Sequence, residues 1–242
     1  MTTIEDAAKL LDRGDVERGM EGFADARAQY ERALKLFREI ADRGGEAKAM
    51  IRLGWMVLVD CVLYANLAAA SDDWDEWAAR SPKYADYNAE HPEALDDSKL
   101  TISKIKRGVQ VGLDNGQTLF EQALQRFREL ADKSGEAEAL DGLGMVANER
   151  GLLSDAYAFL NSAYNICLEI NDRVALAYVL WHAGRVLRQQ NQTSEAQAAF
   201  EAARAHFQSV GLPDEASGAE RELRGEEQEH RWPRWLWPRH RS

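Results

Sequence analysis

The chain has 242 residues, of which 45% are hydrophobic and 29% are charged, and it carries a formal net charge of −11 with a pI near 5.0. This composition is ordinary for a globular protein, and the length suits one elongated domain or two compact ones. The negative charge repels nucleic acid and anionic membranes, so we expect neither to be the main partner.

The cysteines and the apolar segments bear on the compartment. Cys61 and Cys167 lie in different apolar stretches and form no CxxC motif, which favours two reduced, buried thiols over a disulfide. The first residues, MTTIEDAAKLL, lack the basic segment and apolar core of a secretory signal. The longest apolar run, Gly54 to Ala70, contains Asp60 and is shorter than the roughly 20 residues that span a bilayer. We therefore expect a cytoplasmic protein.

An internal repeat dominates the sequence. The segments Glu31–Gly54 and Glu121–Gly144 are identical at 14 of 24 positions, at a constant offset of 90 residues. A finer period is visible in four glycines that are spaced by 40, 90 and 40 residues, namely Gly14, Gly54, Gly144 and Gly184. We interpret the central offset as two repeats plus an insertion of about ten residues.

Each repeat is predicted to form two antiparallel helices. The first helix carries the glycine among apolar residues, and the second carries Ala, a bulky residue and Ala at spacings of four and three, as in Ala196, Phe200 and Ala203. Ser154 and Ser194 are candidate N-caps. We expect Gly44-Gly45 to end a helix and Asp114-Asn115-Gly116 to form a turn.

The glycine and the Ala–bulky–Ala pattern resemble the tetratricopeptide repeat in its 40-residue form. Repeats begin near Ala7, Ala47, Asp97, Ala137 and Ala177, although the third departs from the pattern because Lys104 takes the place of the glycine. The resemblance implies an all-α, right-handed solenoid of about five antiparallel helix pairs, closed by a capping helix from Asp214 to Arg224.

The pattern divides the chain into four segments. Residues 1–65 hold the first repeat and the first part of the second, and residues 101–224 hold repeats three to five with the capping helix. Residues 66–100 form an aromatic and acidic insertion, which is either a structural element or a binding loop. Residues 225–242 form an acidic linker and a tail rich in Trp, Arg and Pro.

No motif in the sequence indicates catalysis, a cofactor or a metal. The five histidines form no HxxxH pair, no GxSxG is present, and Gly142-Leu143-Gly144 falls within a predicted helix rather than after a strand. We therefore expect a protein that is not an enzyme. The rival interpretation is an enzyme, or the regulatory subunit of one, and a cleft that gathers His91, Asp96 and Asp97 would favour it.

The resemblance also implies a binding surface on the concave side, lined by the first helices. In repeat five its positions are Tyr178, Trp181, Arg185, Arg188 and Gln189. The two aromatic residues beside the two arginines suit an extended peptide with a carboxylate or an acidic side chain. The alternative is that Tyr178 and Trp181 pack against the next helix pair and that Arg185 and Arg188 are only solvated. The same positions in the earlier repeats include Trp55, Asn148 and Glu149.

The last twelve residues, RWPRWLWPRHRS, combine four Arg with Trp232, Trp235 and Trp237 and contain no acidic residue, so residues 1–230 carry about −15. Five interpretations stay open. The tail is a linear motif for another protein, a membrane-surface segment, a segment that occupies its own groove, a cleaved peptide, or an end without a role. Because Pro233 and Pro238 deny it a continuous helix, we expect it to be disordered and separable from the body.

The sequence as a whole predicts a non-enzymatic scaffold or adaptor that binds a peptide or a partner protein in the concave groove. The alternative is a regulatory or enzyme-associated protein whose tail acts as a membrane-surface, autoinhibitory or cleaved segment. No nucleic acid is expected as a partner, membrane contact is expected only through the tail, and the oligomeric state is open.

Overall fold

The computed structural model describes residues 3–19, 22–70 and 102–225, and every regular element in these ranges is an α-helix. The helices are α1 (Ile4–Gly19), α2 (Phe23–Glu39), α3 (Arg43–Ala70), α4 (Ile102–Glu129), α5 (Lys133–Glu149), α6 (Leu153–Glu169), α7 (Arg173–Gln189), α8 (Thr193–Ser209) and α9 (Pro213–Leu223). Within the described ranges no strand is present, and the prediction of an all-α fold is confirmed.

The helices pack in sequential pairs. Helix α1 contacts α2, α3 contacts α4, α5 contacts α6 and α7 contacts α8, while α9 packs on α8. The first helices of the pairs also contact one another, α1 with α3, α3 with α5 and α5 with α7, and we call these four helices the inner row. In the part of the chain that is described, four pairs and one further helix agree with the predicted solenoid of about five pairs.

The repeated glycines let the two helices of a pair approach closely. A Cβ atom on Gly184 would lie 2.7 Å from the ring of Phe200, and one on Gly14 would lie 2.5 Å from the ring of Tyr30. Gly144 faces Leu160 in the same way, at 2.8 Å. In each of these pairs the bulky residue that lies 16 positions later in the sequence packs against the glycine.

The second repeat is interrupted between its two helices. A Cβ atom on Gly54 would lie 2.8 Å from Phe120, which is 66 residues later instead of 16. The offset of 90 is therefore one repeat of 40 residues plus 50 additional residues, and our division into two repeats and a short insertion was wrong. Helices α3 and α4 each span 28 residues, whereas α5 to α8 each span 17.

The third repeat therefore does not begin near Asp97, which lies outside the described residues. Helix α4 runs without a break through Asp114-Asn115-Gly116, so the turn predicted there does not form. Lys104 belongs to the same helix as Phe120, and its segment provides the second helix of repeat two. Phe120 is fully buried, which stabilises the fold by about 1.5–3 kcal/mol relative to an exposed side chain.

The helix ends also differ from the prediction. Helices α6 and α8 begin after Leu152 and Gln192, so Ser154 and Ser194 lie inside the first turn and are not N-caps. Side-chain caps are found on the inner row, where Oδ1 of Asp132 accepts a hydrogen bond from the amide of Gly135 at 3.0 Å and Asp172 caps α7 in the same manner. Each such cap stabilises its helix by about 1 kcal/mol.

Each connection between repeats contains a residue of left-handed backbone conformation. Ala41, Ala131, Asn171 and Gly211 have φ values of 57°, 54°, 54° and 74°. Gly44 and Gly45 lie in the first turn of α3, so the helix stop predicted at these glycines is wrong and the chain turns at Ala41. Left-handed backbone costs roughly 1–2 kcal/mol for a residue with a Cβ atom.

Candidate protein-binding surface

The predicted binding positions all lie on the inner row or in the tail. The structure places Trp55 on α3, Asn148 and Glu149 at the end of α5, and the remaining four on α7. Trp232, Trp235 and Trp237 lie outside the described residues.

Trp55 lies in the interior, between α3 and its neighbours. Its side chain is fully buried, and its ring lies 5.4 Å from the ring of Phe120 in an edge-on arrangement. The same ring lies 5.8 Å from the imidazole of His182, so side chains of α3 and α7 meet over α5. Met145, on α5, is fully buried as well. Buried side chains therefore fill the space between the middle helices of the inner row.

Tyr178 and Trp181 lie between α7 and the C-terminal helices. They are only 2% and 1% exposed, and their rings contact Phe207 of α8 edge-on at 4.9 Å and 5.6 Å. A Cβ atom on Gly218 of α9 would lie 2.5 Å from Cη2 of Trp181, so α9 packs directly on this indole. The two aromatic residues thus share one buried cluster with Phe207.

Arg185 and Arg188 both face an acidic residue of α9. The Nη2 atom of Arg188 donates a hydrogen bond to Oε2 of Glu222, and Nε of Arg185 lies 4.0 Å from Oε1 of the same carboxylate. The guanidinium of Arg188 also lies 5.3 Å from the ring centre of Phe200. Burial lowers the pKa of Arg185, with the acidic residues Glu149 and Glu222 acting in the opposite direction. Arg188 keeps 45% of its side chain exposed, whereas Arg185 keeps 17%.

Asn148 and Glu149 belong to a polar group at the end of α5. Asn148 is buried, and its Nδ2 atom donates to Oε1 of Glu149 at 3.2 Å. Its Oδ1 atom accepts a hydrogen bond from Nε2 of Gln189 at 3.0 Å. This amide pair links α5 to α7, and Glu149 is half-buried next to it.

The structure brings together further polar residues that the sequence analysis did not connect. Arg52 of α3 is buried, donates to Oδ1 of Asp15 at 3.1 Å, and lies 3.5 Å from Oε1 of Glu138. Asp141 and His182 form a second buried pair. Together these pairs connect α1, α3, α5 and α7 in order. The only signal in the sequence is a charged or polar residue on each first helix, and that signal does not identify the partners.

The described residues give little basis for other chemistry. Among them, no group of three or more His, Cys, Asp or Glu side chains is placed to hold a metal ion. None of the described helices is long and apolar enough to cross a membrane. Cys61 and Cys167 are both buried free thiols, as predicted, and burial raises the pKa of each thiol to about 12. At neutral pH these thiols are protonated and therefore poor nucleophiles.

A solenoid of helix pairs whose first helices form a common row defines a helical-repeat protein, in which each repeat packs on its neighbours. Two models described as tetratricopeptide repeat match the chain, one over residues 11–60 and the other over residues 137–209. The chain belongs to the tetratricopeptide repeat family. No curated protein matches it.

Proposed function

We propose that this protein is a non-enzymatic scaffold or adaptor that binds a peptide or a partner protein along the inner row. Tetratricopeptide repeats generally mediate interactions between proteins and are typically not enzymes. The observation that carries the proposal is the polarity of what stays accessible on this row. Lys48, Arg188 and Gln189 are exposed, Glu138 and Glu149 are half-buried, and aromatic residues lie beneath.

The alternation of charge along the row suggests the chemistry of the partner. Positive charge lies on Lys48 of α3 and Arg188 of α7, and negative charge lies between them on Glu138 and Glu149 of α5. Arg188 and Glu138 also have partners within the chain, Glu222 and Arg52. An extended peptide with charges of both signs would complement this order, and partly desolvated charge pairs give such contacts their specificity. The buried residues Trp55, Tyr178 and Trp181 hold the row in place under this layer, and a partner would reach them only if the packing around them opened.

The tail and the compartment belong to the same proposal. The tail residues Trp232, Trp235 and Trp237 act as a second, separable interaction element, and their Arg neighbours favour an acidic protein or an anionic surface. A cytoplasmic location is consistent with two buried free thiols.

The tail is tested by deleting residues 231–242. The deletion should leave helicity and the melting temperature unchanged, as measured by circular dichroism. It should weaken partner or vesicle binding, and sedimentation with vesicles would measure the latter.

The test of the proposed function is affinity capture from a cell extract with identification by mass spectrometry, followed by affinity measurement on the purified partner. The double variant Lys48→Glu with Glu149→Arg reverses two accessible charges on the inner row. We expect it to lose at least ten-fold in partner affinity. Trp181 is unsuitable for this test because truncation of a buried Trp costs about 3–5 kcal/mol of stability.

The matched control is Lys35→Glu with Glu201→Arg, which makes the same two reversals on the exposed faces of α2 and α8. It should bind the partner as the wild type does. Equal affinity of both double variants would show that the inner row does not form the interface.

A further inference from the structure

Helix α9 covers the most aromatic part of the inner row with unusually small side chains. Its buried residues are Glu215, Ala216, Gly218, Ala219 and Glu222. The surface under it is formed by Tyr178, Trp181 and Phe207 and by the two arginines at positions 185 and 188. The apolar side chains that α9 itself contributes are two alanines and the partly buried Leu223, next to the buried Leu212 at its start. The helix therefore adds only a small apolar area of its own.

Charge and shape contribute the rest of the attachment. Glu222 lies on Arg188 and Arg185, and the Oε1 atom of Glu215 lies 3.5 Å from the hydroxyl of Tyr178, which donates to it. The missing side chain of Gly218 makes room for the indole of Trp181. These features define the kind of helix that this surface accepts: one with two glutamates two turns apart on the same face and a glycine between them.

Helix α9 is also short. It spans 11 residues, and isolated helices below about 12–15 residues are marginal in water, so α9 depends on docking for its structure. It is covalently connected through Gly211 and Leu212, and such a connection gives it a local concentration in the millimolar range. A competing helix can therefore replace it once it has comparable contacts and is itself presented at sufficient concentration.

We infer that the surface formed by Tyr178, Trp181, Arg185 and Arg188 is an exchangeable docking site whose external partner is an acidic amphipathic helix with a glycine or alanine over Trp181. In the isolated protein α9 occupies this site. The inference rests on the proposed function, because it specifies the partner of one end of the inner row. The contact of Glu222 with both arginines, together with that of Glu215 with the hydroxyl of Tyr178, is the observation that selects an acidic helix over other occupants.

The test uses the full chain and a labelled synthetic peptide with the sequence of residues 212–225 as the probe. Gly218→Leu in the chain places a side chain against Trp181 and prevents its own α9 from docking. We expect this variant to bind the probe at least ten-fold more tightly than the wild type in fluorescence anisotropy. Ser217→Leu, at the neighbouring exposed position of the same helix, should bind it as weakly as the wild type.

Two further measurements identify the contact. In the Gly218→Leu chain, Arg188→Glu should weaken probe binding at least ten-fold, and a probe with Glu222→Arg should recover part of that loss. Glu222→Lys in the chain releases α9 by charge repulsion from the arginines instead of by a steric clash. It should also increase binding of the unaltered probe. If neither released variant binds the probe more tightly than the wild type, the inference is wrong.

Other outcomes are equally decisive. If both released variants lose their helical signal entirely, α9 is part of the core and the inference fails. Concentration-dependent dimers of the wild type that Glu222→Lys abolishes would make a second copy the occupant and would overturn the assignment to a separate partner. Equal capture of a partner by wild type and Gly218→Leu would preserve the proposed function and refute exchange at this site. Tight probe binding without any captured partner would support exchange at this site and refute the proposed function.

Discussion

The Nδ1 atom of His182 lies 2.7 Å from Oδ1 of Asp141, and both side chains are almost fully removed from solvent. The pair joins α5 to α7 at the point where Trp55 reaches His182 from α3. Polar contact and ring contact thus meet on one imidazole, and three helices of the inner row depend on it.

Removing His182 should therefore be costly. His182→Ala leaves the buried carboxylate of Asp141 without this partner, and we expect the free energy of unfolding to fall by about 3 kcal/mol. Urea denaturation followed by circular dichroism measures the change. Glu201→Ala, on the exposed face of α8, should stay within about 0.5 kcal/mol of the wild type. A loss below 1 kcal/mol in His182→Ala would show that the pair does not hold the row together.

The glycines of the helix pairs provide a second prediction. Gly184→Ala pushes a methyl group towards Phe200 and should destabilise the protein by about 1–3 kcal/mol, since a packed core accepts extra atoms poorly. Gly108→Ala is the matched control, because nothing lies within 4 Å of a Cβ atom there and Ala is the better helix former. It should stabilise α4 by about 0.5–1 kcal/mol. Thermal melts of the two variants should move in opposite directions.

The residues of left-handed backbone conformation between the repeats provide a third prediction. Ala131 has φ of 54°, and Ala131→Gly relieves the steric cost of its Cβ atom. Part of the gain is lost because glycine makes the unfolded chain more flexible, so we expect a net stabilisation of about 0.5–1 kcal/mol. Ala158→Gly, at an exposed position inside α6, should instead destabilise by about 1 kcal/mol. If both substitutions destabilise equally, the left-handed backbone carries no cost at Ala131.

The pH dependence of stability provides a fourth prediction. Burial opposes ionisation of Glu136, but hydrogen bonds from Arg128 at 2.8 Å and Lys133 at 3.1 Å outweigh it and lower the pKa of this carboxyl. The ionised form therefore stabilises the fold above the ordinary pKa of 4.5, and this contribution is lost as the pH falls through the lower pKa of the folded state.

Glu136→Gln should reduce stability at pH 7 by about 1 kcal/mol and flatten the dependence below pH 5. Urea midpoints measured across the acidic range would show this. Glu31→Gln, on the exposed face of α2, should retain the wild-type dependence. A Glu136→Gln profile parallel to that of the wild type would contradict the assignment.

The sequence is informative where a contact repeats and uninformative where it occurs once. Gly184 and Phe200 are separated by the same 16 residues as Gly14 and Tyr30, so the helix pairs could be predicted from spacing alone. The partner of Gly54 could not, because an offset of 90 is compatible with two divisions of the chain. Likewise, the depth of Trp55 depends on how closely α3 approaches α7, and no local pattern encodes that distance.

The interruption of repeat two has a consequence for how the chain folds. In the other pairs the glycine and its bulky partner are 16 residues apart, whereas Gly54 and Phe120 are 66 apart. Closing the longer loop costs about 1 kcal/mol more in chain entropy, which slows this one step relative to its neighbours. Helices α1 to α3 and helices α4 to α9 are thus expected to organise as two cooperative units. The contact between α3 and α4 is then the last to form. The order of assembly therefore does not follow the order of the repeats.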